Sequence, residues 1–537
     1  MFGFLFNKYR QEGYREGFAA GMEAQREQTE KQTEALYKEL MESKSLYDEK
    51  SLEYEDFLNF VSRIYSLDSD DIDQKWHIRR NDESLYAFIW FLSSHMPLFI
   101  TGKAGTGKTT LLRRFRDYMI KIGKNAVVVA PTGVAALTAN GQTIHSFFGF
   151  RPDITEEKAK KRNLRYIENI AKNLDVLIID EISMVRADLL DCVHTVLSRA
   201  RKNKKPFGGV RVLFFGDLAQ LEPVTTENDI DIFTGDDAPY RSPFFFDAKV
   251  LSGTPLFLME LNHVYRQKNP HFIAALNDLR GGSDITHALM YFNDRYTDMT
   301  DVPHPHIYLT ARRDQAQQYN MDKLAQIQDE PRVFEGVITG EFPDNILPTQ
   351  KKLVLKKGAQ IMLLNNDPEG RWVNGTLATI VGFEDAKDPE NDTVYTAVLI
   401  RTEDMDEDDE PHTIGSMAWD NTRFVYNKEK KRIESEVIGR FVQYPIALGW
   451  AFTIHKMQGK TISTAIVDFG ARAFSHGHVY VALSRTRDID GLFLKRPLKE
   501  DDIITDARVG DFLSEFKDIL TSDEHKLTLR IKKHPQR

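Results

Sequence analysis

Short apolar runs alternate with helical segments between about residues 97 and 224. The runs are rich in β-branched residues and are bounded by Gly, Pro or Asp; they lie at 98–100, 127–129, 176–179 and 210–215. Runs of this kind are typical of parallel strands whose two faces are covered by helices. Similar runs at 307–310 and 464–468 predict a second α/β unit.

The stretch from roughly 345 to 440, between the two parts of the second unit, has an all-β pattern. Its short apolar segments are joined by turn signals such as Asn374-Gly375. We therefore expect a small β insert here. The acidic run from Glu403 to Glu410 is expected to be a solvated loop of that insert.

Polar segments flank these units. Residues 11–66 are rich in Glu, Gln and Lys with leucines at roughly helical spacing, which predicts one or two exposed helices. Gly13, Gly17 and Gly21 would align on such a helix and admit another backbone, so this arm is a candidate for self-association or partner binding; a helix frayed by glycine is the alternative. The basic tail after Lys526 is expected to be a solvated end, with DNA contact as a minor alternative.

Composition narrows the class of protein. A chain of 537 residues exceeds one ordinary core, so at least two α/β units are expected. No run approaches the ~20 apolar residues of a membrane helix, and Met1 to Arg10 does not resemble a secretory signal. We therefore expect a cytoplasmic protein, which in a bacterium would be associated with the nucleoid. A nuclear location is the alternative. The single Cys192 excludes an intramolecular disulfide and a thiolate zinc site. A net charge of −9 argues against a protein that coats nucleic acid through its overall charge, although a local basic groove is compatible with it.

The strongest motif is a G-x-x-x-x-G-K-T loop that follows the first apolar run. Its glycines let backbone N–H groups surround phosphate oxygens, Lys108 neutralises the β and γ charges, and the Thr109 hydroxyl can ligate Mg²⁺. We therefore predict ATP and Mg²⁺ as cofactors. The predicted nucleotide-binding residues are Gly102, Ala104, Gly105, Thr106, Gly107, Lys108, Thr109 and Thr110.

Further polar residues end the later apolar runs, where the strands of a parallel sheet would deliver them beside the phosphates. Asp180 suits Mg²⁺ held through water, and Glu181 suits the base for the attacking water. Gln220 could orient that water, although the segment taken alone favours a plain strand-to-loop turn. Arg266 and Arg485 are candidates to complete the charge clamp, one of them supplied by the second lobe.

Eight segments in order resemble the superfamily one helicases of the B branch, in the RecD/Pif group, over roughly residues 97–495. The segments are 102–109, 130–136, 141–147, 180–184, 216–224, 261–267, 451–459 and 479–487. Arg199 to Val212 is similar to the signature of the Pif subgroup and favours that branch.

The resemblance implies an α/β fold with two RecA-like P-loop lobes, a small inserted SH3-like β subdomain and a helical N-terminal arm. The expected boundaries are an arm at 1–70, the first lobe at 71–250 with a wedge insert at about 149–172, the second lobe at 251–344 and 441–500, the SH3-like insert at 345–440, and a tail at 501–537. It also implies an ATP-dependent helicase that moves 5′ to 3′ on single-stranded DNA and unwinds duplex or structured DNA in genome maintenance. A DNA-stimulated ATPase switch or translocase that does not unwind is the alternative.

The DNA-facing residues implied by the resemblance are Thr132, Gly133, His145, His455, Lys456 and Gly459, and the aromatic Phe147 is a further candidate. Hydroxyl, backbone N–H and Lys groups suit phosphates, and Phe147 could stack on a base, with core packing as its alternative. The short basic segment 151–172 is either the subdomain that splits the duplex or a solvated helix. The family usually has a glutamine ahead of the P-loop that reads adenine, and the stretch from Arg80 to Ser84 offers only Asn81 as a candidate for that role.

Overall fold

A computed structural model describes residues 97–532, apart from 227–228, 235–236, 255, 299–301, 388–393 and 522–526. The predicted N-terminal arm and Asn81 lie outside the described residues. Among those that are described, no helix is long and apolar enough to cross a membrane.

An eight-stranded sheet forms the core of the first lobe. Its strands are β1 (Leu98–Gly102), β2 (Ala126–Ala130), β3 (Gln142–Thr143), β4 (Val176–Ile179), β5 (Arg211–Phe215), β6 (Phe257–Leu261), β21 (Phe516–Thr521) and β22 (Leu527–Lys532), in the spatial order β21-β22-β6-β1-β5-β4-β2-β3. The strands from β6 to β3 in this order are parallel. The apolar runs predicted to be parallel strands are indeed buried here, because helices cover both faces of the sheet.

The edge of this sheet beyond β1 differs from the expectation. Strand β6 pairs with β1, so the first lobe extends past residue 250 to Leu261. Strand β22 then pairs antiparallel with β6, and β21 pairs with β22. The tail that was expected to be a solvated end therefore continues the sheet of the first lobe. Its partner β6 lies about 270 residues earlier in the chain, so no local sequence pattern predicts this pairing.

Nine helices of the described part belong to this lobe or connect it to its neighbour. They are α1 (Lys108–Lys121), α2 (Gly133–Thr138), α3 (Ile144–Phe148), α4 (Glu156–Lys161), α5 (Glu168–Asn173), α6 (Ala187–Arg201), α7 (Ile230–Phe233), α8 (Pro270–Gly281) and α9 (Ile285–Asn293). The first begins directly at the P-loop lysine and buries Leu111, Leu112, Phe115 and Met119 on one face. Helices α4 and α5 occupy the predicted wedge segment, and Arg201 of α6 donates to the carbonyl oxygens of Ala171, Lys172 and Leu174 at the end of α5.

The second lobe has a smaller parallel sheet. It consists of β7 (Ile307–Thr310), β18 (Ala451–Thr453), β19 (Ala465–Asp468) and β20 (Leu492–Leu494), in the order β18-β7-β19-β20. Helices α10 (Arg313–Gln326) and α11 (His478–Leu483) accompany this sheet, whereas α12 (Ala507–Ser514) packs into the core of the first lobe through Val509 and Phe512. Helices α8 and α9 pack with this sheet, and Ala104 and Leu221 of the first lobe join the same apolar cluster.

Antiparallel strands fill the chain between β7 and β18, starting before residue 345. They are β8 (Arg332–Glu335), β9 (Val337–Gly340), β10 (Lys352–Leu355), β11 (Gln360–Leu363), β12 (Leu377–Lys387), β13 (Val394–Thr402), β14 (His412–Ile414), β15 (Met417–Asn427), β16 (Arg432–Gln443) and β17 (Ile446–Leu448). Five of them form the sheet β14-β13-β12-β11-β17. The long hairpin of β15 and β16 reaches the first lobe, where the Gln142 amide donates to the carbonyl of Thr422 at 2.6 Å.

Candidate active site

The P-loop connects β1 to α1 at the carboxyl edge of the first sheet. Gly105 and Gly107 adopt φ values of 81° and 85°, a left-handed region that favours glycine and lets the loop turn its N–H groups inward. The Lys108 ammonium donates to the carbonyl oxygens of Gly102 at 2.6 Å and of Lys103 at 3.0 Å. Burial lowers the pKa of Lys108, and the nearby carboxylates of Asp217 and Glu181 partly counter that effect. The loop thus holds a partly desolvated cation beside a phosphate-sized cradle of backbone donors.

Two carboxylates follow β4, which lies next to β5 in the same sheet. Asp180 is 7 % exposed, and its Oδ1 accepts the N–H of Glu181 at 3.0 Å. Burial raises the pKa of Asp180 to about 6, and burial together with the neighbouring Asp180 raises the pKa of Glu181 to about 7. A carboxylate with a pKa near neutrality can both accept a proton and release it, as a general base requires.

Gln220 lies in the turn after β5 and contacts both lobes. Its side-chain Nε2 donates to Asp217 Oδ2 at 3.1 Å, and its Oε1 accepts from Gln458 Nε2 at 3.2 Å. The same Gln458 nitrogen lies 3.3 Å from Glu181 Oε2. Gln458 follows β18 in the second lobe, so one amide of that lobe touches both predicted hydrolytic residues of the first.

The two predicted arginines lie together at the interface of the lobes. Arg266 follows β6 and donates to the carbonyl oxygens of Ser484 at 3.1 Å and Gly459 at 3.3 Å. Arg485 follows α11, is 1 % exposed, and donates to the carbonyl oxygen of Val481 at 2.8 Å. Burial and the neighbouring Arg266 lower the pKa of Arg485. The structure therefore brings both arginines to the P-loop side of the cleft, where they are held by backbone of the second lobe.

Three residues that the sequence reasoning missed also contact this site. The Tyr265 N–H donates to the Gly105 carbonyl at 2.9 Å, and its ring, 60 % exposed, lies beside Gly107. The buried Tyr480 hydroxyl accepts the N–H of Ala104 at 2.8 Å. Arg280 of α8 pairs with Asp217. No motif spacing points to them, although Tyr265 and Tyr480 lie within two of the segments that carry the family resemblance, 261–267 and 479–487.

The predicted DNA-facing residues lie after the carboxyl ends of strands in both lobes. Thr132 caps α2 by accepting the N–H of Ala135, and Gly133 has no room for a side chain because Ile346 of the insert lies against it. His145 in α3 is half-buried, and burial lowers its pKa. His455, Lys456 and Gly459 are exposed after β18, with Gly459 at φ 79°.

Phe147 does not fit the predicted base-stacking role. It is 1 % exposed and packs edge-on against Phe148 at 4.8 Å and Phe424 at 5.9 Å between ring centroids. Phe424 belongs to the hairpin of the insert, so the ring is covered by a segment almost 280 residues away in the chain. Phe147 is therefore a core residue that anchors the hairpin, which corrects the expectation drawn from its motif.

One α/β lobe supplies a P-loop and two carboxylates at the end of a strand, and an amide and arginines of a second lobe contact this site. This arrangement defines the class of two-lobed motor ATPases. Within that class, residues 82–238 match the model of the PIF1-like helicase family, and residues 343–383 match that of the DNA helicase Pif1 2B domain. The ATP-dependent DNA helicase Pif1 of Bdellovibrio bacteriovorus is 32% identical over 436 residues, which are 79% of this chain and 90% of that relative. The ATP-dependent DNA helicase PIF1 of Emericella nidulans is 30% identical over 455 residues, covering 74% of this chain but only 58% of that protein.

Solved structures agree with these sequence matches. Unliganded Pif1 from Bacteroides sp superposes with a TM-score of 0.71 at 32% identity, covering 84% of this chain and 99% of that one. Bacteroides Pif1 bound to single-stranded DNA superposes with a TM-score of 0.53 at 32% identity, covering 81% of this chain and 95% of that one. The chain belongs to the PIF1-like helicase family, and its two α/β lobes are the RecA-like lobes of that family.

Proposed function

We propose that the chain is an ATP-dependent DNA helicase that moves 5′ to 3′ along single-stranded DNA and unwinds duplex or structured DNA in genome maintenance. The observation that carries the proposal is the contact of Gln458, in the second lobe, with both Glu181 and Gln220 in the first. Through this contact, a change at the γ-phosphate that shifts Glu181 or Gln220 also shifts Gln458 and with it the second lobe. The direction of movement rests on the family resemblance.

In this proposal each group of the nucleotide site has a separate task. The P-loop N–H groups and Lys108 hold the β- and γ-phosphates of ATP, and Glu181 takes a proton from the attacking water. Thr109 and Asp180 offer a hydroxyl and a buried carboxylate, oxygen ligands that fit Mg²⁺, which would neutralise charge on the phosphate oxygens when bound. Arg266 and Arg485 stabilise the charge that develops on the transferred phosphoryl group.

We further infer that Tyr265 contacts the nucleotide base. Its ring is exposed, lies next to Gly107 at the start of α1, and is fixed by the backbone bond from its N–H to Gly105. An aromatic face beside a phosphate cradle can stack on a purine without hydrogen-bond selectivity. Stacking would help to hold the base in a chain whose stretch 80–84 offers only Asn81 in place of the family's adenine-reading glutamine.

The DNA strand would cross the exposed carboxyl edges of both lobes. Thr132 and Gly133 in the first lobe and His455, Lys456 and Gly459 in the second offer hydroxyl, backbone and cationic donors for phosphates. The structure of Bacteroides Pif1 bound to single-stranded DNA and a structure that describes unwinding of forked duplex DNA by two Pif1 helicases support this class of partner. The segment at about 149–172, which contains α4 and most of α5, is proposed as the wedge that meets the duplex, and the insert at 345–440 as an SH3-like subdomain.

The test is the ATPase rate with and without single-stranded DNA, together with unwinding of duplexes that carry a 5′ or a 3′ overhang. The proposal predicts strong stimulation and unwinding of the 5′-overhang duplex only. Stimulation without unwinding would instead establish a translocase or switch. An ATPase rate that is indifferent to DNA would refute the DNA assignment.

A further inference from the structure

Arg280 is an arginine of the second lobe whose main partner is a buried carboxylate of the first. Its Nε and Nη2 both lie 3.3 Å from Asp217 Oδ1, and its Nη1 lies 3.6 Å from Glu260 Oε1 in β6. Helix α8, which carries Arg280, packs its apolar face into the core of the second lobe through Phe272, Ala275 and Leu276. The guanidinium therefore crosses from one lobe to the other.

The Asp217 carboxylate fixes the orientation of the Gln220 side-chain amide relative to its neighbours Asp217 and Gln458. The Asp217 side chain is 0 % exposed, and its Oδ2 accepts from Gln220 Nε2. An ionised carboxylate accepts hydrogen bonds and cannot donate one, so it selects the NH₂ end of the amide. The carbonyl end of Gln220 is then the end that meets Gln458 and lies on the side of Glu181.

The ionised form of Asp217 in turn needs a positive partner, because a buried charge without one is strongly destabilised. Burial raises the pKa of Asp217, but the charges of Arg280 and Lys108 outweigh it, and the pKa is lowered overall. Without Arg280 the carboxyl would tend to bind a proton, and a protonated Asp217 could either accept a hydrogen bond from the NH₂ end of the Gln220 amide or donate one to its carbonyl end. The amide would then lose its fixed orientation.

We propose that Arg280 is a positioning residue for ATP hydrolysis: by pairing with Asp217 it holds the Gln220 amide in its working orientation, and it does so only while the second lobe is docked. The hydrogen-bonded chain from Gln458 through Gln220 and Asp217 to Arg280 begins and ends in the second lobe. Closure of the two lobes thus brings both Gln458 and Arg280 into place, so that both ends of the hydrogen-bonded chain that holds the Gln220 amide are formed. This inference rests on the proposed function, since it assigns Gln220 a part in turnover.

The competing explanation is that Arg280 only ties α8 to the first lobe. The contact between Arg280 and Glu260 distinguishes the two explanations, because it involves the same guanidinium but no atom of Gln220. Glu260→Gln is therefore a matched control that weakens the tie without disturbing the amide. Arg280→Met keeps the length and packing of the side chain while removing its charge.

The experiment is a double-mutant cycle on the full chain, measured as DNA-stimulated steady-state ATPase. Arg280→Met is expected to lower kcat about tenfold while the KM for ATP changes less than about threefold, and Glu260→Gln is expected to stay near the wild-type rate. In a Gln220→Ala background, Arg280→Met should cause no further loss, since there is no amide left to orient.

Three results would overturn the inference: losses that multiply in the double variant, a Glu260→Gln rate as low as that of Arg280→Met, or full activity in Gln220→Ala. Thermal melting checks that each variant is folded. Asp217→Asn probes the same step without altering α8, and its loss must also vanish in the Gln220→Ala background. If DNA does not stimulate the ATPase of the wild-type chain, the proposed function is refuted. If DNA does stimulate it but the double-mutant cycle gives one of the results above, only the role of Arg280 is refuted.

Discussion

Turnover should depend on pH through the protonation of Glu181. The ordinary pKa of a glutamate is 4.5, and burial together with Asp180 raises that of Glu181 to about 7. A base with this pKa is about nine-tenths ionised at pH 8 and about one-tenth ionised at pH 6. Because only the ionised form accepts a proton from water, kcat is expected to fall about tenfold from pH 8 to pH 6.

The Glu181→Gln variant isolates this effect. The amide keeps the shape of the side chain and retains an oxygen that can accept from Gln458, so the contact between the lobes and the binding of ATP should persist. Loss of the base should lower kcat by about 10²–10⁴-fold, and the residual rate should no longer change between pH 6 and pH 8.

The assay is DNA-stimulated ATPase at saturating ATP over this pH range, with ATP binding measured separately by equilibrium titration. Glu222→Gln is the control, since Glu222 is another carboxylate between the lobes, where it accepts from Ser475, and its loss should leave the pH profile unchanged. A wild-type kcat that is flat from pH 6 to pH 8, or a Glu181→Gln variant that turns over normally, would refute the assignment of Glu181 as the base.

Three further substitutions test other parts of the structure. Tyr265→Ala should raise the KM for ATP about tenfold or more through loss of stacking, whereas Tyr265→Phe should leave it unchanged; equal values for both would contradict the contact with the base. Arg201→Ala should lower the free energy of unfolding by about 1–3 kcal/mol in urea titrations, because it leaves the carbonyls at the end of α5 without their donor, while the exposed Lys204→Ala should have no effect. Phe424→Ala should cost about 1–3 kcal/mol through lost packing on Phe147, and unchanged stability would mean that the hairpin is not anchored there.

The residues proposed to bind and hydrolyse ATP could be predicted from the sequence because each follows a short buried strand. In a parallel sheet the carboxyl ends of β1, β4 and β5 meet at one edge, so Lys108, Glu181 and Gln220 had to converge. The glycines of the P-loop have a local backbone requirement that a motif records directly. The structure places these groups as that reasoning expected.

Contacts between distant parts of the chain were not accessible in the same way. Phe147 looked available to DNA because the segment that covers it, around Phe424, lies in the insert. The pairing of β22 with β6 and of Arg280 with Asp217 likewise joins segments that carry no shared pattern. Such contacts depend on how the lobes and the insert pack, and hydrophobic periodicity contains no information about that packing.

The measurement that tests the central claim most directly is unwinding by the full chain of duplexes with a 5′ or a 3′ overhang, run beside DNA-stimulated ATP hydrolysis and compared with the Glu181→Gln variant. The account predicts strand separation from the 5′ overhang alone, with hydrolysis that requires both single-stranded DNA and Glu181. Unwinding that persists in Glu181→Gln, or ATP hydrolysis that ignores DNA, would contradict it.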